Sequence, residues 1–211
     1  MKHKNELSDI LIELFNISIG KAASLLSEII NRKIILNIPS FTMIDLAKET
    51  SAIDDYLPPN IQGSVMVSSI GFKDELKGKA SLIFPADKMR KFIDLCLNEN
   101  DENQICDLNF TDIDFDIIKE VGNIILNSLI GEISNFLQIE LTYTLSEVKV
   151  FHKQEFEQSL KSEGYHHILI LYVTFQVSDA EITGAIIINL TISSISELLN
   201  KVEKAGESFC G

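Results

Sequence analysis

The apolar positions of the N-terminal half change their spacing along the chain. Residues 6–31 place them three and four positions apart, which is typical of a helix with one buried face. Apolar runs of strand length, bounded by turn residues, follow this helix. The predicted elements are a helix at 6–31, a strand at 33–39 that ends at Pro39, a hairpin formed by 64–72 and 79–85, and a helix at 86–97.

The second half repeats this order of elements. A helix is predicted at 112–138, an extended segment at 139–152, a hairpin at 168–177 and 183–190, and a helix at 192–204. An offset of 106 to 107 residues superposes the halves, so that Asn16 falls on Asn123 and Gly78 on Gly184. Solenoid repeats span only about 20 to 50 residues, so a period this long indicates a duplicated domain.

The duplication predicts one domain over residues 1–211. Its repeats would span about 5–98 and 112–204, with the acidic segment 98–104 as the connector. Neither half shows an obvious linker, so we expect the strands of both to merge into one sheet. The predicted fold class is α/β (α+β), with a pseudo-two-fold repeat, an extended antiparallel-rich sheet and two outward-facing site helices.

Both of these helices carry the same three polar residues at the same spacing. The trios are Asp9, Glu13 and Asn16, and Asp116, Glu120 and Asn123. Positions i, i+4 and i+7 lie within an arc of about 60° on a helix. Each trio therefore forms one outward stripe, opposite apolar residues that include Leu14 and Ile17. A solvated face explains a single stripe, but Asn is a poor residue for a helix interior and occurs in both.

An outward stripe makes a prediction about stability. Replacing Glu13 or Asn16 by Ala should change the free energy of unfolding by less than about 0.5 kcal/mol, as exposed substitutions do.

The net charge indicates which classes of partner the chain could bind, and the cysteine content indicates its cellular compartment. The net charge is −13, from 31 acidic and 18 basic residues, and it would repel a nucleic-acid backbone. No apolar run of membrane-spanning length and no signal-peptide h-region is predicted. The cysteines, Cys96, Cys106 and Cys210, are odd in number and share no CxxC spacing, so we predict a reduced, cytoplasmic protein.

The trios resemble the signature of the CheC/CheX/FliY family, phosphatases that act on the chemotaxis response regulator CheY. That signature is Asp/Ser-x3-Glu-x2-Asn, followed after 22 residues by Pro. The first trio matches it together with Pro39, whereas Ser146 stands at the proline position of the second. Two copies in one chain are most similar to CheC. The glycine-rich stretch usual after the Asn is replaced by 18–20 and 125–127.

This resemblance implies catalysis without a nucleophile of the chain's own. Asn16 and Asn123 would hold the attacking water beside the aspartyl phosphate, as a glutamine does in small GTPases. Glu13 and Glu120 would pair with the regulator's lysine. The Mg²⁺ is expected to come with the bound regulator, and no metal site is predicted in this chain.

The remaining motif residues would have supporting roles. Asp9 and Asp116 are assigned to the helix start and to surface charge, and Pro39 to fixing the turn beside the site. Because Ser146 lacks the proline ring, we expect the first site to carry the larger share of turnover.

Two non-catalytic functions are the alternatives. The chain could sequester CheY, or it could serve chiefly as an adaptor for CheD, the receptor deamidase that the resemblance implies as a second partner. A flagellar switch component is a further alternative, which the length of 211 residues disfavours.

Overall fold

The computed structural model describes residues 2–46, 48, 53–59, 61–97, 109–162, 165–177 and 180–209. The connector predicted at 98–104 lies outside the described residues, as do Cys106 and Cys210.

The first half contains two helices and three strands. They are α1 (Lys2–Ile30), β1 (Ile34–Asp45), β2 (Ser64–Asp74), β3 (Gly78–Pro85) and α2 (Ala86–Leu97), with a 3-10 turn at Ile53–Tyr56. The second half contains α3 (Asp112–Leu137), β4 (Leu141–Tyr143), β5 (Glu147–His152), α4 (Lys153–Ser162), β6 (His167–Val177), β7 (Ala180–Leu190) and α5 (Ile192–Phe209).

The strands within the described residues form one antiparallel sheet that interleaves the two halves. Its order is β1-β6-β7-β3-β2-β4, and β5 also pairs with β2. The central contact is between β3 and β7, one strand from each half. Strand β1 pairs only with β6 of the second half, and β4 and β5 pair only with β2 of the first. The first strand of each half is therefore an edge strand of the other half's hairpin.

The larger hydrophobic core lies on the face of the sheet that carries α1 and α3. These helices contact each other and bury Phe15, Ile19 and Leu129 completely. The opposite face is covered by α4 and the 3-10 turn, which bury Phe156 and Leu57 in a smaller core. The mixed α/β fold with a large antiparallel sheet is thus confirmed.

Several local predictions were wrong. Strand β1 does not end at Pro39 but continues to Asp45, because the proline occupies an irregularity in the β1–β6 register. Proline lacks a ladder donor, and such positions tolerate it. The predicted extended segment 139–152 is broken into β4 and β5, and helix α4 was not predicted. Ile17, which was assigned to the buried face, is 50% exposed.

The interleaved pairing predicts that neither half folds alone. A fragment of residues 1–104 would leave β1 without β6, and one of residues 105–211 would leave β4 and β5 without β2. Each fragment should show no cooperative thermal transition by circular dichroism, whereas an equimolar mixture should recover the spectrum of the intact chain. A cooperative transition in either fragment alone would contradict this prediction.

Candidate functional site

The side chain of Asn16 is bound to strand β1. Its Oδ1 accepts a hydrogen bond of 2.9 Å from the Ile38 backbone N–H, and its Nδ2 donates to the Ile38 carbonyl at 2.9 Å. The Nδ2 also donates to the Ile12 carbonyl at 3.0 Å. The carboxamide thus pairs with Ile38 as a neighbouring strand would. The predicted outward orientation is therefore wrong for Asn16, which is half-buried and turned toward the sheet.

A β-bulge explains why Ile38 is available to Asn16. Between the pairs Asn37–Thr174 and Ser40–Tyr172, Ile38 and Pro39 stand opposite the single residue Val173. The extra residue of a bulge leaves the ladder, and the backbone polar groups there need another partner. Asn16 supplies that partner, and the Ile38 side chain is fully buried.

The corresponding bulge in the second half lies between β4 and β5. Between the pairs Tyr143–Phe72 and Glu147–Ser69, three residues of this edge stand opposite two of β2. Leu145 occupies the position of Ile38, 107 residues further along. Its side chain is 90% exposed, and its carbonyl accepts a long hydrogen bond of 3.5 Å from the Thr144 hydroxyl.

Asn123 has no such attachment. It is half-buried like Asn16, but in the part of the chain that the structure describes its carboxamide makes no hydrogen bond. The two equivalent asparagines are therefore in different states. The carboxamide of Asn16 is engaged by the backbone, and that of Asn123 is available to a ligand.

Gly122 brings helix α3 close to the sheet beside Asn123. A Cβ built on Gly122 would lie 2.0 Å from Oγ of Ser68 on β2, so a larger residue has no room. Ser68 pairs with Val148 of β5, which places Asn123 over the start of β5. Phe15 stands at the equivalent position of α1 and packs edge-on against Phe41, with ring centroids 5.7 Å apart.

The start of α3 is fixed by a capping box. Thr111 and Asp114 bond each other's backbone N–H groups, and the Arg90 guanidinium on α2 lies 3.1 Å from Asp114. Burial would raise the pKa of Asp114, but the Thr111 backbone N–H, the Arg90 guanidinium and the Thr111 hydroxyl together hold it below its usual value. Sequence reasoning missed this cap, although the Thr-x-x-Asp spacing signals one.

The acidic members of the trios lie on the surface. Glu13 and Glu120 are exposed one turn before the asparagines, as predicted. Asp9 and Asp116 are exposed as well, but the helix-start role is wrong, because α1 begins at Lys2 and α3 at Asp112. Among the described residues, no group of three or more His, Cys, Asp or Glu side chains is placed to hold a metal ion.

Helix α1 is more apolar than the sequence analysis expected. By length and composition, its segment Ser8–Ile30 could cross a membrane. Leu11, Phe15 and Ile19 of this segment are buried in the larger core, whereas Ile17, Leu25 and Ile29 are exposed.

Comparisons with known proteins support the resemblance seen in the trios. No protein-family model matches the chain. The CheY-P phosphatase CheC of Bacillus subtilis is 27% identical over 149 residues, which are 70% of this chain and 68% of that protein. The crystal structure of FliY from Thermotoga maritima has the same fold, with a TM-score of 0.71, 15% identity and coverage of 94% of this chain and 96% of FliY.

The chain is thus similar to members of the CheC/CheX/FliY family, in sequence to CheC and in fold to FliY. A second structural relative, the FliM middle domain from H. pylori, shares the fold with a TM-score of 0.60, 13% identity and coverage of 94% of this chain and 98% of that domain. Within this chain, the two copies of the motif differ in the hydrogen bonding of the asparagine, a difference that motif spacing does not predict.

This difference replaces the small stability effect that the outward stripe predicted for Asn16→Ala, and it predicts unequal effects of the two asparagines on stability. Asn16→Ala would leave the buried N–H and C=O of Ile38 without their partner, so it should lower the free energy of unfolding by about 1–3 kcal/mol. Asn123→Ala is the matched control, and it should change the free energy of unfolding by less than about 0.5 kcal/mol. Urea denaturation of both variants measures this. Equal changes in the two variants would contradict the assignment of Asn16 to the backbone of β1.

Proposed function

We propose that the chain accelerates hydrolysis of the aspartyl phosphate of the response regulator CheY. The observation that carries the proposal is the exposed Glu120 one turn before an asparagine, Asn123, whose carboxamide has no hydrogen-bond partner among the described residues. The same motif occurs twice in a chain that is 27% identical to a CheY-P phosphatase.

In the proposed mechanism, the chain completes a site that the regulator already holds. The regulator supplies the phosphorylated aspartate, its Mg²⁺ and a lysine. Asn123 would insert beside the phosphoryl group, with its Oδ1 accepting a hydrogen bond from the attacking water and holding that water in line with phosphorus. Positioning of this kind lowers a barrier by several kcal/mol because the water no longer loses its freedom during reaction.

Glu120 would fix the docking register. It lies on the same face of α3 as Asn123, and its carboxylate would pair with the regulator's lysine. Asp116 lies one further turn back and would add surface charge only. Leu145, between β4 and β5, is exposed and would offer a partner an apolar contact.

The geometry favours the second site over the first. Asn16 would have to release both of its bonds to Ile38 before it could hold a water, and each buried backbone group left unsatisfied costs about 1–3 kcal/mol. Asn123 has no such bonds to release. The sequence predicted the opposite, namely that the first site carries the larger share of turnover because Ser146 replaces the proline. The two bulges differ in more than this proline, since the backbone of Ile38 is bound by Asn16 and that of Leu145 is not bound by Asn123.

The second candidate function is a non-catalytic binding module. Its support is the fold, which the FliM middle domain shares at a TM-score of 0.60. Such a module would sequester phosphorylated CheY or act as an adaptor for CheD. We propose CheD as a second partner and the cytoplasm as the compartment, since both follow from a role in CheY signalling.

The proposal predicts different kinetic effects for the two residues of the second site. Asn123→Ala removes an interaction made chiefly in the transition state, so it should lower kcat by roughly one to two orders of magnitude. Glu120→Ala removes an interaction present in the bound state as well, so it should chiefly raise KM. The measurement is release of phosphate from labelled phospho-CheY with the chain at substoichiometric concentration.

Asn16→Ala, assayed at a temperature where it is folded, is the matched control and should retain most of the turnover. Loss of phosphate signal only in proportion to the amount of chain added would identify sequestration instead of catalysis. Parental turnover by a variant lacking both asparagines would refute the water-positioning mechanism.

A further inference from the structure

A cavity lies on the face of the sheet opposite α1 and α3, away from the two asparagines. Strands β5, β2 and β3 form its floor, and helix α4 forms one wall. Its volume is about 240 Å³. Drug-sized ligands occupy pockets of roughly 300–1,000 Å³, so this cavity fits a smaller molecule.

The floor of the cavity contains two buried serines. Ser69 and Ser81 are directly paired across β2 and β3 and are 9% and 1% exposed. Within the described part of the chain, neither hydroxyl has a hydrogen-bond partner. Because both serines line the cavity, their hydroxyls keep their hydrogen-bonding capacity for a polar group that enters it.

Charged side chains surround these hydroxyls. Glu147 of β5 is the direct partner of Ser69, which puts Glu147, Ser69 and Ser81 in one row across three strands. Lys79 and Lys149 also line the cavity, each two residues along its strand from a member of this row. The charged side chains that line the cavity are therefore two ammonium groups and one carboxylate, on a chain whose net charge is −13.

The rest of the lining is apolar. Phe151 and Phe156 lie with their ring centroids 6.0 Å apart, and Leu160 and Val67 complete this side of the cavity. Phe156 and Leu160 are almost completely buried. The cavity therefore has a polar part, which contains two ammonium groups, and an apolar, aromatic part.

We propose that this cavity binds a small organic anion, a carboxylate or phosphate monoester attached to an apolar body. The anionic group would lie over the hydroxyls of Ser69 and Ser81 between the two lysines, and the apolar body would contact the two phenylalanine rings. The site is separate from the proposed phosphatase site and does not depend on it.

Substitutions of Glu147 and Lys149 should change the affinity for an anion in opposite directions. Its carboxylate lies 2.7 Å from the Lys149 ammonium, and this ammonium, with a smaller effect of Lys79, holds the pKa of Glu147 below its usual range. The carboxylate therefore competes with an incoming anion for Lys149. Glu147→Gln should tighten anion binding, whereas Lys149→Gln should weaken it.

The experiment is an NMR titration of the full chain with phenyl phosphate, followed through the backbone amides of residues 67–69, 79–81 and 147–151. We expect saturable shifts at these amides, affinity raised roughly two- to five-fold by Glu147→Gln and lowered by a similar factor by Lys149→Gln. Ser81→Ala should also weaken binding. Lys21→Gln is the matched control, since the Lys21 side chain is 60% exposed and ion-paired like that of Lys149, and it should change nothing.

Phenol and inorganic phosphate separate the two parts of the ligand. Both should bind more weakly than phenyl phosphate, and the affinity for phenol should not respond to Glu147→Gln. If phenol bound as tightly as phenyl phosphate, the proposed contact with an anionic group would be wrong. If inorganic phosphate bound as tightly as phenyl phosphate, the proposed contact with an apolar body would be wrong. Absence of saturable shifts at these amides, or equal effects of Lys21→Gln and Lys149→Gln, would overturn the site itself.

Discussion

The exchange of edge strands between the halves is the constraint on which the structure depends. Strand β1 pairs only with β6, and β4 and β5 pair only with β2, so each half completes the other's part of the sheet. The arrangement places α1 and α3 side by side on one face, where the Lys21 ammonium is ion-paired with Glu132 across the two helices. It also places Asn16 over β1 and Asn123 over the start of β5, and each of these strands lies at an edge of the sheet.

At each edge of the sheet, a one-residue bulge interrupts the strand pairing beside the asparagine. The backbone groups at the two bulges have different partners. In the first half Ile38 is buried and its backbone is bound by Asn16. In the second half Leu145 is exposed, and the carboxamide of Asn123 has no hydrogen-bond partner among the described residues. One copy of the motif has thus become part of the fold, and the other retains the free carboxamide that the proposed chemistry needs. Duplication of the motif allows this difference, because one asparagine can stabilise the fold while the other stays available for the proposed reaction.

Sequence periodicity predicted most of the elements, because long amphipathic helices and alternating strands are determined by local spacing. It also located the two motifs, since the 107-residue offset between Asn16 and Asn123 can be read directly. It could not predict the bond between Asn16 and Ile38, which joins residues on different elements through a bulge. The apolar Ile17 on the exposed side of α1 and the continuation of β1 beyond Pro39 were missed for the same reason, since tertiary pairing determines both.

We infer that Asn123 is available to the regulator and that Asn16 is not. The most direct test follows the side-chain NH₂ signals of both residues by NMR while beryllofluoride-activated CheY is added to the full chain. The Asn123 signals should shift on binding, while those of Asn16 and of the Ile38 amide should stay in place. Shifts of the Asn16 and Ile38 signals with an unchanged Asn123 would contradict this inference.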